Sequence, residues 1–141
     1  MRMSIFDIWH TSYDLSLDLK SDAVNVIVNA LRSGLNDYTI DERGDVGSWV
    51  RIASIRGLTS ISELMLTNAS SIPDFERYFP PENYHAIISG ILKQGVERLD
   101  NVRQEAGSCF IRLLRLPLPS VADQERWSLS GLELLKELFK K

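Results

Sequence analysis

The chain has 141 residues, 44% hydrophobic, 25% charged and 9% aromatic, the balance of a globular domain rather than of a disordered or fibrous segment. Its 16 basic and 19 acidic residues leave a net charge of −3 with no strip of Lys and Arg, so nucleic acid is not an expected partner. Cys109 is the single cysteine and has only His10 and His85 beside it, which excludes a disulfide framework and leaves little for a zinc site; no apolar run approaches the roughly 20 residues that cross a bilayer, so no membrane insertion is expected.

Residues 1–19 carry Ile5, Phe6, Ile8, Trp9, Tyr13, Leu15 and Leu17 without one clean period. They read as at most a frayed turn or helix, and Asp7 interrupts any apolar core of signal-peptide length, in keeping with a cytoplasmic setting. Val24, Ile27, Val28, Leu31 and Leu35 then follow the spacing of one helical face, with Ser21 or Asp22 at the N-cap position and Gly34 near the exit. Residues 36–44 are polar and turn-rich. A second stripe of about five turns runs through Val46, Trp49, Val50, Ala53, Gly57, Ile61 and Leu64 behind Asp45 as N-cap, which assigns Trp49 to the core.

Periodicity lapses over residues 67–81 among Asn68, Ser70, Ser71, Pro73, Pro80 and Pro81, predicting a long connection with a short turn around residues 75–79. It resumes with Tyr84, Ile87, Ile88, Ile91, Leu92 and Val96, and continues through Val102, Ala106, Cys109, Phe110, Leu113 and Leu114. One helix over residues 82–116 would be unusually long, and Asp100 offers a fresh cap where the face shifts, so two helices meeting near residues 99–101 are predicted. Pro117 and Pro119 end the second. Ser130 and Glu133 have capping-box spacing ahead of Leu132, Leu135, Leu138 and Phe139, the stripe of a short terminal helix.

No segment of comparable length alternates as a half-buried strand does, so the fold class is all-α. Val50-Arg51 and Val102-Arg103 both stand near a helix start, each followed by an alanine, Ala53 and Ala106. Helical pairs recurring at about 40 to 47 residues mark HEAT and armadillo arrays. Antiparallel helical pairs of that α-solenoid type are the expected architecture, over residues 20–116, followed by a proline-containing linker and terminal helix at 117–141.

The same residues offer little reaction chemistry. Gly44 and Gly47 lack the further glycine or Gly-Lys-Ser of a phosphate loop, so no nucleotide cofactor is expected. Cys109 falls on an apolar stripe beside Phe110 and reads as a core thiol, and His85 reads as a solvated or capping side chain. Arg43-Gly44-Asp45 spells an adhesion tripeptide, but a tight turn at Gly44 and a helix cap at Asp45 account for it without a ligand.

The run from Leu35 through Asn36-Asp37-Tyr38-Thr39-Ile40-Asp41-Glu42-Arg43-Gly44-Asp45-Val46-Gly47-Ser48-Trp49-Val50-Arg51 resembles a segment of the tubulin folding cofactor D family. Leu99-Asp100-Asn101-Val102-Arg103-Gln104-Glu105-Ala106-Gly107 resembles the next landmark of that family, in the right order. The resemblance spans residues 23–116. It implies a HEAT-like region from the C-terminal part of a longer cytoplasmic, cytoskeleton-associated chaperone. It also implies partners: β-tubulin, cofactor E and an Arf-like small GTPase, with stimulation of GTP hydrolysis by tubulin in the wider assembly.

By the same resemblance Asp45 and Arg51 correspond to the Asp and Arg that link neighbouring HEAT repeats by charge-assisted hydrogen bonds, and Arg43, Gly44, Trp49 and Arg103 complete the motif. The rival role for Arg43 or Arg51 is a direct contact to tubulin, assisting GTP hydrolysis. The alternatives to a tubulin-folding module are a general HEAT-repeat scaffold and an inactive fragment of the chaperone.

Overall fold

The computed structural model describes residues 14–129, with side chains from residue 20 onward. In chain order the elements are helix α1 (Asp14–Gly34), strands β1 (Ile40–Asp41) and β2 (Gly44–Asp45), helix α2 (Gly47–Thr67), a 3-10 turn (Ala69–Ser71), the short helix α3 (Phe75–Tyr78), helices α4 (Pro81–Gln94) and α5 (Asp100–Leu114), and a 3-10 turn (Gln124–Trp127). The all-α expectation holds. The two short strands form one antiparallel hairpin, Ile40 opposite Asp45 and Asp41 opposite Gly44. The terminal helix expected after Ser130 and most of residues 1–19 lie outside the described residues.

α1 starts well before the expected cap: Ser21, read as a candidate N-cap, sits buried inside the helix. α1 and α2 pack antiparallel. A Cβ on Gly57 would touch the Leu31 side chain at 3.1 Å, and one on Gly34 would run into Ser54, so small residues set the close approach of the two helices. The second pair is divided into two helices as predicted, but the first ends earlier than the expected junction at residues 99–101: α4 ends at Gln94 and α5 starts at Asp100. Leu99 occupies the cap position and Asp100 the first turn, where its charge complements the helix dipole.

The two pairs stack with like helices parallel. Asn83 Nδ2 donates to Asn25 Oδ1 at 2.7 Å, and a full helix length further on Gln94 Nε2 donates to the Leu35 carbonyl at 3.0 Å, so α1 and α4 run the same way. Between α2 and α5 the Arg56 guanidinium meets the Glu105 carboxylate at 2.8 Å, and Arg112 meets Glu63 two turns on. Both of these ion pairs join residues 49 positions apart. Val50-Arg51 and Val102-Arg103, the dipeptides that suggest a repeat, stand 52 positions apart instead. The structure corrects it: Val50 is exposed and Arg51 buried, whereas Val102 is buried and Arg103 exposed.

Val28, Leu35, Ile55, Leu58, Met65, Ile87, Ile91, Phe110 and Leu113 form the core between the four long helices. Residues 67–81 contribute to it as well, since Ala69, Ile72, Phe75, Tyr78 and Phe79 are buried. Trp127 closes the far side. Its Nε1 donates to the Phe79 carbonyl at 3.0 Å and its ring lies 5.4 Å from that of Phe75.

The stripe read along α2 faces the wrong way. Trp49, Val50, Ala53 and Leu64 are exposed and Ile61 is half-buried, while Ser48, Arg51, Ser54, Ile55, Leu58, Thr59, Ser62 and Met65 are buried. Hydroxyl residues can occupy this interior because they satisfy themselves locally: Thr59 Oγ1 donates to the Ile55 carbonyl and Ser62 Oγ to the Leu58 carbonyl, each at 2.8 Å. Their small volume lets α2 lie close to both α1 and α5. Ile27 on α1, and Leu92 and Val96 at the end of α4, are likewise exposed rather than core.

Candidate partner-binding surface at the start of α2

The sequence between α1 and α2 builds a small rigid platform. Asp37 accepts from both the backbone N–H and the hydroxyl of Thr39, which holds its carboxyl below the usual carboxylate range. Asp41 receives the Arg43 guanidinium at 2.7 Å and the Arg43 N–H at 2.8 Å, and these bonds lower its pKa in the same way. Gly44 has φ +109°, a conformation that a side chain would strain, so the turn of Arg43-Gly44-Asp45 depends on it. Gly47 donates to the Thr39 carbonyl at 2.9 Å. A Cβ there would strike the Asp37 carbonyl oxygen and come within 2.7 Å of the Thr39 nitrogen, so backbone passes where a side chain would stand.

Asp45 stands just ahead of α2 and accepts from the Ser48 N–H at 3.0 Å, the capping job expected of it, although Val46 occupies the cap position itself. Its carboxylate also meets Arg51, with Nη2 to Oδ2 at 3.2 Å. Arg51 is 1% exposed; its Nη1 donates to the Asp37 carbonyl at 2.8 Å, and its guanidinium lies over the Tyr38 ring at 4.2 Å. Arg51 therefore ties α2 back to the connection that precedes it. A link to the neighbouring pair exists one step away, where the Tyr38 hydroxyl donates to Glu97 Oε1 at 2.7 Å.

Trp49, expected in the core, is 57% exposed. The Arg43 guanidinium lies 5.4 Å from its ring, and Ile40 and Tyr38 are exposed on the same connection. The structure thus brings Arg43, Gly44, Asp45, Trp49 and Arg51 together and leaves Arg103 apart. Arg103 opens α5, paired to Asp100 and donating to the Glu97 carbonyl at 3.0 Å. Arg51 is enclosed and cannot reach a partner's nucleotide; Arg43 is the exposed arginine of the two. Sequence reasoning missed Tyr38 and Ile40, whose only signal was large apolar side chains inside an otherwise polar turn.

The single thiol and the described histidine stand away from this surface. Cys109 is buried against Glu105, and burial pushes its thiol up. His85 Nε2 lies 2.9 Å from the Arg126 carbonyl oxygen. Among the described residues no group of His, Cys, Asp and Glu is arranged to hold a metal ion, and no helix is long and apolar enough to cross a membrane.

An exposed tryptophan and tyrosine with an arginine across the indole face is the composition of protein-binding surfaces, carried here on an all-α frame. Residues 85–141 match the family described as "Tubulin folding cofactor D C terminal". Tubulin-specific chaperone D of Dictyostelium discoideum is 30% identical over 114 aligned residues, a match that covers 72% of this chain and 8% of the relative. No solved structure matches significantly. The resemblance read from residues 35–51 and 99–107 is borne out: the chain is similar to the C-terminal region of tubulin folding cofactor D. The family match also runs to residue 141, beyond the span from which the resemblance was read.

Proposed function

We propose that this chain is a non-enzymatic module of a tubulin-folding chaperone, that it binds β-tubulin, and that the platform of Tyr38, Ile40, Arg43 and Trp49 is its contact surface. The observation that carries this reading is the exposure of Trp49 within the same string of residues that bears the family resemblance. A tryptophan held half in water has no packing role to justify it, whereas a buried Trp with an adjacent Arg is the usual anchor of an interface. The stacking of like helices in parallel supports a HEAT-like arrangement for residues 20–116, with 117–141 appended to it. Assistance to αβ-tubulin assembly or disassembly, association with cofactor E and an Arf-like small GTPase, and GTPase activation follow from the same kinship. If the chain assists GTP hydrolysis, Arg43 is the residue to do it.

Capture of purified β-tubulin by the immobilised chain tests the reading. The wild-type chain is expected to retain β-tubulin, and Trp49→Ser or Arg43→Ser to lose about tenfold in affinity with the fold intact by circular dichroism, one hot-spot side chain being worth about 1.4 kcal/mol or more. Failure of the wild type to retain tubulin, or equal retention by Trp49→Ser, contradicts it. Unchanged GTP turnover by tubulin on adding Arg43→Gln in place of the wild type removes the catalytic arginine from the account.

A further inference from the structure

On the opposite layer, α1 and α4 run side by side over an open groove of about 860 Å³. Asn29, Arg32, Ser33 and Asn36 line it from α1 and the turn after it, and Ser89 and Lys93 from α4. Their spacing makes the groove two helical turns long, about 10 Å, the reach of about three extended residues. Arg32 and Lys93 are its charged lining residues, and no carboxylate lines it, in a chain whose overall charge is −3.

Most arginines elsewhere on the molecule are answered, Arg98 and Arg115 being the exceptions among the described residues. Arg43, Arg51, Arg56, Arg77, Arg103, Arg112 and Arg126 each meet a carboxylate of this chain. Arg32 and Lys93 have no such partner among the described residues. The side chains of Asn29, Ser33, Asn36 and Ser89 likewise make no hydrogen bond among the described residues. The carboxylates beyond the groove's end are occupied, Asp37 by Thr39 and Glu97 by Tyr38. Toward the other end of the two helices Asn83 Nδ2 donates to Asn25 Oδ1, so these amides answer each other.

We infer that the groove between α1 and α4 binds an acidic peptide segment, Arg32 and Lys93 pairing with its carboxylates while Asn29, Ser33, Asn36 and Ser89 bond to its backbone. Complementary charge selects the occupant: a two-turn groove with two unanswered cations and amide and hydroxyl groups around them matches a short run of Glu or Asp. Nucleic acid is a poorer fit, because phosphate backbones are held by longer strips of positive charge. The inference is independent of the tubulin-binding reading, since the groove lies on α1 and α4 and shares no residue with the Trp49 platform.

Fluorescence anisotropy with the full chain and a labelled poly-glutamate peptide tests it, with a poly-glutamine peptide and a single-stranded oligonucleotide as comparisons. The expected result is saturable binding of the glutamate peptide, weakened by salt, with the other two probes at least tenfold weaker. Arg32→Gln with Lys93→Gln is expected to weaken binding about tenfold, whereas Arg98→Gln with Arg115→Gln, exposed cations outside the groove, leaves it unchanged. Ser89→Glu keeps both cations and fills the groove with a carboxylate, so it too is expected to weaken binding, and it decides the matter if the first double variant fails to fold. No binding of poly-glutamate, equal binding of either comparison probe, or equal loss in the Arg98 and Arg115 variant overturns the proposal.

Discussion

Arg51 and Asp45 meet at 3.2 Å with the arginine 1% exposed and the carboxylate half-buried, so a charge pair, not an apolar side chain, anchors the start of α2. Arg51 also supplies the Asp37 carbonyl and covers Tyr38, so removing it unmakes several contacts together. Arg51→Ala is expected to cost about 3 kcal/mol, from lost charged hydrogen bonds and the space left behind. Asp45→Asn costs less, because the remaining amide stays in reach of water. Urea unfolding of the two variants checks the order; an Arg51→Ala midpoint equal to wild type contradicts it.

The two glycines of the platform differ in what they forbid. Gly47→Ala places a methyl against the Asp37 carbonyl oxygen and the Thr39 backbone, neither of which can swing aside, and is expected to destabilise by about 2 kcal/mol or more. Gly44→Ala meets no atom and suffers only from its positive φ, a cost of about 1 kcal/mol. Thermal melts of both variants give the comparison, and a larger loss at Gly44 than at Gly47 contradicts it.

The ion pairs between α2 and α5 make stability depend on acid. The hydrogen bond from Arg56 holds Glu105 below its ordinary value of 4.5, so the folded state prefers the carboxylate more than the unfolded chain does. That contribution is complete above the unfolded pKa and is lost as pH falls through the lower folded one. Arg56 is well exposed and the pair is screened by salt, which limits the effect to about 0.5 kcal/mol. Glu105→Gln is expected to lower stability at pH 7 and to flatten the decline between pH 5 and the acid limit. Parallel pH profiles for the two proteins contradict the assignment.

Cys109 is buried and its thiol is pushed up, so little of the reactive thiolate exists at neutral pH and little of that is accessible. Alkylation by iodoacetamide at pH 7.5 is expected to proceed at the rate at which the chain opens, rising steeply in urea through the unfolding transition. Reaction in native buffer at the rate of a free thiol contradicts the burial.

The second helical pair was legible because its faces are apolar in the simple sense: every stripe residue from Val102 to Leu114 is buried, and the break near Asp100 shows as a phase shift. α2 was misread because its interior is partly Ser, Thr and Arg, which self-satisfy or pair, while Trp49 and Leu64 face out; a hydrophobic period then marks the exposed face. The charge pair of Asp45 with Arg51 was visible as residues within one string. The stacking of Arg43 on Trp49 and of Arg51 on Tyr38 was not, since it depends on the direction of the hairpin. The groove of Arg32 and Lys93 joins residues far apart in sequence, and only the parallel register of α1 and α4 brings them together.

Hydrogen exchange of the chain with and without β-tubulin, read residue by residue, tests the central claim most directly. Slowed exchange of the amides in residues 38–50, lost in the Trp49→Ser variant, is the predicted result. Unchanged exchange over residues 38–50 under conditions where tubulin is bound, with slowing confined to other parts of the chain, contradicts it.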